Sequence, residues 1–295
     1  MRISSQSAIG TCKLPLKDRI LLYKEAGFDT YDISVNKEIL EGATFDGEDY
    51  LEKARAFRAF TDEIGMTCNQ AHAPFGSHTI YNDPDNEQAI ADILRSMEIS
   101  AVLGARIIVV HPIKPEGRRF PEDPEFSFTE NLRFYRRLIP YAEKYGIKIA
   151  AENMWEYSNG AGVPGDSMCS RPHVFCRLLD ELDSEYVVAC LDIGHAALVA
   201  TDIPAFIHAL GRKRLQALHV HDVDGVKDLH TLPYLSKIDY EAVCRALGEI
   251  GYEGDLTFEA GAFFTRFPDA LLPAAIRFMH ETGKYLASEI DKARA

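Results

Sequence analysis

Short apolar runs alternate along the chain with amphipathic stretches, and most of the amphipathic stretches stop at a glycine. The apolar runs lie at 3–10, 28–34, 66–75, 105–112, 147–155, 186–195, 215–222 and 255–260, eight in all. Segments such as IIVV, KIAA and YVVAC are apolar at every position. Unbroken runs of this kind belong to parallel strands buried on both faces, not to half-exposed strands that alternate. Between them, KDRILLYKEAG, DYLEKARAFRAFTDEIG, NEQAIADILRSMEISAVLG and FTENLRFYRRLIPYAEKYG read as helices that stop at Gly27, Gly65, Gly104 and Gly146. A glycine just past the last turn supplies the left-handed conformation of a helix C-cap. Further stretches stop at Ser184, Gly211 and Gly251, and ALLPAAIRFMHETGKYLASEI closes the chain. Successive stops are 38, 39, 42, 38, 27 and 40 residues apart. Each interval accommodates one strand, one loop and one helix.

Eight strand–helix units, with no linker or low-complexity segment between them, predict an α/β fold: one (β/α)8 TIM barrel over residues 1–295. An open doubly wound sheet would carry a glycine-rich phosphate loop after its first strand, and none is present. The length of 295 residues fits one barrel, a fold that commonly runs to about 250 residues. With 46% hydrophobic residues the chain can bury a large core.

Charge and cysteine usage narrow the function. The 32 basic and 45 acidic residues leave a net charge of −13, which argues against a broad basic surface for nucleic acid or anionic membrane. No stretch approaches the roughly 20 apolar residues of a membrane span. The opening MRISSQSAIG lacks the apolar core of a signal peptide. Six cysteines (Cys12, Cys68, Cys169, Cys176, Cys190 and Cys244) are scattered without a CxxC, and they read as the reduced thiols of a cytoplasmic protein.

Polar residues gather where the strand-like runs end. His72 stands in AHAPFG, His111 in VVHP, Glu152 in AAEN, Asp192 and His195 in LDIGH, and Glu259 in TFEA. The run LHVHD carries His219, His221 and Asp222, with Asp228 and His230 just beyond. Six of the ten histidines fall at these places. In a barrel they converge on the C-terminal mouth, where active sites lie. Acids and imidazoles meeting there would repel or strand one another without cations, since buried unpaired charge is costly. The chemistry is therefore that of a divalent metal site. A donor set of oxygen and nitrogen without thiolate suits Mn²⁺, Zn²⁺, Co²⁺ or Mg²⁺. Alternate strand residues share a face, so His219 and His221 point the same way.

With these residues the chain resembles the xylose isomerase-like TIM-barrel superfamily, which joins sugar isomerases, ketose 3-epimerases, inosose dehydratase and endonuclease IV. The resemblance spans essentially the whole chain. It implies that Glu152, Asp192, His219 and Glu259, in the motifs EN, LDIGH, HVHD and FEA, hold one metal ion. It also implies additional metal positions at His72, His111, His195, Asp228 and His230, which match the larger three-zinc set of endonuclease IV. The chain departs from the ketose 3-epimerases after His221, where DVDGVKD has no arginine. It departs again at TLPYLSKIDY, which puts Tyr234 and Lys237 in a loop where relatives have a glycine-rich stretch.

The function expected is a metal-dependent isomerase or epimerase of a sugar, sugar phosphate or polyol. Glu152 and Glu259 would exchange a proton with the carbon next to the carbonyl, through an enediolate, and His195 would hydrogen-bond a substrate oxygen. His72, His111, His221 and the single tryptophan, Trp155, are expected to contact substrate. Phe75, Phe263 and Phe264 are candidates for an apolar wall, and Lys114, Arg118 and Arg119 for a phosphate contact. Three alternatives stand beside this reading: a multi-zinc phosphodiesterase at abasic DNA, a lyase or dehydratase of cyclic polyols, and a sugar-binding sensor without turnover. The expected partner is a small sugar or polyol, without membrane or nucleic acid, and the chain is compatible with a homo-oligomer.

Overall fold

The computed structural model describes residues 1–9, 13–75, 82–115, 120–158 and 162–294. Cys12, Arg118 and Arg119 lie outside the described residues. Along the chain β1 (Ile3–Ser5) precedes α1 (Leu16–Ala26), and β2 (Thr30–Ser34) precedes α2 (Val35–Glu38) and α3 (Tyr50–Glu63). Then β3 (Thr67–His72) leads to α4 (Glu87–Leu103), and β4 (Ile107–Val110) to α5 (Pro124–Tyr145). After β5 (Lys148–Glu152) comes a hairpin of β6 (Trp155–Tyr157) and β7 (Pro164–Asp166), then α6 (Pro172–Leu182). Next come β8 (Val187–Asp192), α7 (Ile193–Leu198) and α8 (Ile203–Arg214), then β9 (Leu215–His219) and α9 (Tyr240–Glu249). Finally β10 (Leu256–Phe258) is followed by α10 (Leu272–Ala293).

Strands β2, β3, β4, β5, β8 and β9 pair in that order, and every pair is parallel. β1 pairs with β10, also in parallel. Single bridges, Gln6 to Asp32 and Val220 to Phe258, join the two sheets at both edges. The eight strands thus close a ring, and the (β/α)8 barrel expected from the unit rhythm is what the chain forms. Asp192 stands beside His219 in the β8–β9 register, and Glu152 beside Cys190 in the β5–β8 register.

The absence of hydrophobic alternation has a visible cause. Val109, Ala150, Val188, Cys190 and Ala217 form a small buried cluster of their own. Their chain neighbours Ile108, Ile149, Ala189 and Leu218 belong to the large core that the helices cover. Successive residues of a strand face opposite ways, so one set fills the barrel and the other packs outward, and both are apolar.

Helices α1, α4 and α5 end at Gly27, Gly104 and Gly146 with φ of 104°, 88° and 64°. At α6 the left-handed residue is Asp183, one position before the expected stop. The strands are shorter than the apolar runs, and one run divides. Glu152 ends β5, and Trp155 opens the antiparallel β6–β7 hairpin instead of finishing the strand. Among the described residues no helix is long and apolar enough to cross a membrane.

Candidate metal centre and active site

The C-terminal strand ends carry the expected side chains inward. His72, Glu152, Asp192 and His219 are the last residues of β3, β5, β8 and β9. His111 follows β4, Glu259 follows β10, and His195 sits in the first turn of α7. His221, Asp228 and His230 come from the segment between β9 and α9. Glu152, Asp192, His219 and His221 are fully buried, and Glu259 is 8% exposed.

Their donor atoms fall into overlapping groups, each within 4.8 Å: Glu152, Asp192, His219 and Glu259; His72, His111 and Glu152; His72, His219 and Glu259; and His195, His221, Asp228 and His230. Glu152 joins two of them with its two oxygens. Its Oε1 lies 3.0 Å from His219 Nδ1, and its Oε2 lies 2.9 Å from His111 Nε2 and 3.6 Å from His72 Nε2. Glu259 Oε2 approaches the same His219 nitrogen at 2.9 Å. In the last group, Asp228 Oδ2 is 3.1 Å from His230 Nε2 and 3.4 Å from His195 Nε2.

Hydrogen bonds set which imidazole nitrogen is free. A carbonyl can only accept, so Nδ1 of His72 donates to Ala73 O (2.8 Å), Nδ1 of His195 to Asn153 O (3.0 Å), and Nδ1 of His230 to Glu259 O (2.8 Å). In the neutral ring each Nε2 then turns a lone pair toward the cluster. Backbone partners that orient liganding histidines in this way are the usual outer shell of a metal site. Glu152 Oε2, His219 Nε2, His221 Nδ1 and Asp228 Oδ1 are buried without a hydrogen-bond partner. Buried polar atoms are normally paired. Close approach without donor–acceptor geometry is what ligand atoms around a common cation show. The residues present therefore fit a divalent ion.

Four supporting residues escape the sequence reading. Asp32, buried in the middle of β2, accepts from Gln70 Nε2 at 2.9 Å and lies 3.6 Å from His219 Nε2. Gln6 Nε2 donates to Glu259 Oε1 at 2.9 Å. Asn153 clasps the backbone of Asp192 on both sides, donating to its carbonyl (2.8 Å) and accepting from its N–H (2.7 Å). Gly194 lies against His221, and a Cβ there would overlap the imidazole ring. Asp192 itself caps α7, its Oδ1 accepting from His195 N at 2.6 Å, so the residue has a structural task beside its place in the cluster.

Charge compensation shows in the titration. Burial opposes ionisation of Glu152, but the His219 and His111 imidazoles outweigh it and hold the carboxyl well below the ordinary range. Burial likewise presses His195 downward, yet Asp192, Asp228 and Glu152 lift it to about 10. His230 is lifted to about 9 against its burial, first by Asp228 and then by Glu259. Burial dominates at His111 and lowers it. With no cation bound, protons on His195 and His230 therefore offset the carboxylates beside them.

The model of the xylose isomerase-like TIM barrel matches residues 20–282. The chain belongs to that family. An uncharacterized protein of Sinorhizobium fredii is 26% identical over 207 residues, which is 66% of this chain and 63% of the relative. Fructoselysine 3-epimerase of Escherichia coli O157:H7 is 27% identical over 140 residues, 48% of this chain and 47% of the enzyme. The matches thus span 63% of the Sinorhizobium protein and 62% of a relative from Methanocaldococcus jannaschii. Among solved structures, a D-tagatose 3-epimerase-like protein superposes with a TM-score of 0.74 at 21% identity, covering 99% of each chain. The IOLI protein with a binding zinc atom gives 0.74 at 19% identity over 100% of each chain. These likenesses show a shared barrel.

In this member of the xylose isomerase-like family, a cavity of about 480 Å³ opens over the cluster. Glu152, Glu259, His111, His195, Asp228 and His230 form its floor, and Phe75, Trp155, Tyr157 and Lys114 stand on its wall. Phe75 lies tilted on the His111 ring at 4.6 Å. Trp155 Nε1 donates to Asp228 Oδ2 at 3.4 Å, and Lys114 Nζ donates to Trp155 O at 2.9 Å. One expectation needs correction. Phe263 and Phe264 do not line this cavity; Phe264 is buried in the main core and Phe263 packs against it. Tyr234 and Lys237 do not line it either. Tyr234 packs on Tyr240 and Tyr285, and Lys237 offers its backbone N–H to Asp222 Oδ1 (3.0 Å). Asp222 also takes Ser236 N and Ile238 N, so it anchors the loop beyond the site.

Proposed function

We propose that the chain, working as one barrel over residues 1–295, is a metal-dependent isomerase or epimerase of a sugar, sugar phosphate or polyol in the reducing cytoplasm. One observation carries the reading. Glu152 and Glu259, from β5 and from the end of β10, converge on His219 Nδ1 at 3.0 and 2.9 Å and line the same cavity. Two carboxylates brought to one point from different strands can meet two faces of one substrate carbon.

A divalent ion (Mn²⁺, Zn²⁺, Co²⁺ or Mg²⁺) held by Glu152, Asp192, His219 and Glu259 would supply Lewis-acid polarisation of the substrate carbonyl and stabilise negative charge on its oxygens. One glutamate takes the proton from the carbon next to the carbonyl, giving an enediolate. The other, entering the step in its protonated form, gives its proton to the opposite face, which inverts the centre and leaves the first glutamate holding the proton it took. His195, whose Nδ1–H is committed to Asn153 O, offers Nε2 to a substrate oxygen. His111 lines the floor beside the reacting carbons, whereas His72 and His221, expected to contact substrate, lie buried beneath it; Trp155 and Phe75 cover apolar faces of the substrate. The segment DVDGVKD lacks the arginine of ketose 3-epimerases, so the far end of the substrate is read by other groups. The test is a turnover screen of ketoses, sugar phosphates and polyols with each of the four metals. Conversion that needs metal and falls in Glu152→Gln and Glu259→Gln supports the reading.

A second reading rests on the overlapping donor groups. Besides the four-residue group, His72 and His111 face Glu152, and His195, His221, Asp228 and His230 form another set. Several neighbouring ions would suit phosphodiester hydrolysis at an abasic site. The net charge of −13 opposes DNA-backbone binding. We expect no tight binding to duplex DNA carrying an abasic site at physiological salt. Metal-dependent incision at catalytic protein concentration would promote this second reading over the first.

A further inference from the structure

The outer face of α10 departs from a solvated helix surface. Of the large apolar side chains that stand exposed among the described residues, six cluster there and in the loops beside it: Leu271, Phe278, Tyr285, Phe267, Tyr234 and Leu235. Phe278 and Tyr285 lie seven residues apart, which is two helical turns, so they share one side of α10, and Leu271, just before its first turn, continues the spacing. Leu271, Phe278 and Tyr285 are 50%, 55% and 47% exposed. Ring contacts gather the aromatic residues into two groups along the helix: Tyr285 with Tyr234 at 6.0 Å, and Phe278 with Phe263 at 6.5 Å, which meets Phe267 at 5.2 Å. Exposed apolar side chains gathered on one helix face in this way mark an interaction surface.

Charge identifies the occupant. The chain carries −13 overall, so most of its surface repels a second copy. Residues 266–294 differ. They hold five cations (Arg266, Arg277, Lys284, Lys292 and Arg294) against four acids (Asp269, Glu281, Glu289 and Asp291). A second copy therefore meets like charge elsewhere and a balanced aromatic face here. The face is also suited to meeting itself. Phe278 and Tyr285 lie on either side of Glu281, so two antiparallel α10 helices bring Phe278 of one copy to Tyr285 of the other. An isologous interface requires this kind of self-complementarity. Glu281 and Lys284 form an ion pair at 3.1 Å beside the same point. Each Glu281 is paired with its own Lys284, so the two carboxylates that meet at the axis carry an offset charge. The 22 residues of α10 run for about 33 Å at 1.5 Å per residue.

We propose that two copies of this chain associate through α10 about a two-fold axis near Glu281. Tyr234 lies in the same β9–α9 segment as Asp228 and His230. Covering Tyr234 and Tyr285 therefore also steadies the loop that brings those two residues to the cavity.

The test needs no turnover, so it stands apart from the fate of the proposed activity. Light scattering over a concentration series should find a dimer for the unmodified chain. Phe278→Glu combined with Tyr285→Glu should give a folded monomer, while Tyr141→Glu, at an exposed tyrosine on α5, should leave the dimer intact. Glu281→Cys should form a disulfide-linked dimer on mild oxidation, when neither the unmodified chain nor Leu40→Cys does. This crosslink decides the matter even if the double variant fails to fold. A monomeric unmodified chain, or a dimer that survives the double substitution, would overturn the proposal. So would a dimer that Glu281→Cys cannot crosslink.

Discussion

The two nitrogens of His219 face different partners. Nδ1 meets Glu152 and Glu259, and Nε2 faces the Asp32 carboxylate at 3.6 Å. Asp32 thus favours the tautomer that leaves Nδ1 free to bind a cation. Asp32→Ala should weaken metal affinity about 10–100-fold, the usual cost of losing such an outer partner. Asp32→Asn keeps an oxygen for Nε2–H and should cost less. Calorimetric titration checks both, and equal affinity in Asp32→Ala and the unmodified chain would deny the role. Asp192→Asn should lower bound metal sharply on elemental analysis, because the amide brings no charge. Glu152→Gln and Glu259→Gln should each cut turnover about 10² to 10⁴-fold. The ten residues of the cluster were legible because histidines and acids stood out at the ends of apolar runs. Asp32 and Gln6 were not, because each sits within a run read as strand, and only the closed barrel shows which way it points. Gly194 was hidden for another reason: its task is to leave space for the His221 ring.

At the scale of elements, Asn153 links β5 to β8 at the candidate centre. Asn153, just past β5, makes two hydrogen bonds to the backbone of Asp192, where β8 ends and α7 begins. Asn153→Ala would leave a buried N–H and C=O unpaired, at a cost of about 2–4 kcal/mol. Metal affinity should fall along with stability, since Asp192 and His195 both leave from that turn. Thermal unfolding with and without metal checks this; a change in stability alone would make Asn153 a scaffold residue only. The same asparagine explains the misread run at 147–155. Apolar and aromatic residues continue through Met154 and Trp155, so pattern alone extends the strand. The side chain of Asn153 instead ties the chain to β8 and frees Trp155 to open the hairpin over the cavity.

At the scale of the whole molecule, the barrel could be read from the rhythm of the chain because every unit repeats one physical pattern, an apolar strand followed by a helix with a left-handed stop. What rhythm could not show is how far each run stays paired, which depends on closure of the ring. The gathered charges make the stability of the whole depend on pH. His195 and His230 are raised to about 10 and 9 in the folded metal-free chain, above the ordinary value near 6.5. The stability they contribute is present below about pH 6.5 and is lost as pH rises through 9 to 10. The melting temperature of the metal-free protein should therefore fall between pH 7 and 10, and a bound ion that replaces those protons should flatten the fall. The central claim is proton transfer by Glu152 and Glu259 at a sugar carbon. Solvent-deuterium incorporation into substrate, followed by NMR on the metal-loaded protein in D₂O, tests it most directly. Deuterium should enter at the carbon next to the carbonyl, and product formation should fall about 10² to 10⁴-fold in either glutamine variant. A substrate that turns over with no deuterium uptake, or at a normal rate in both variants, would contradict the claim.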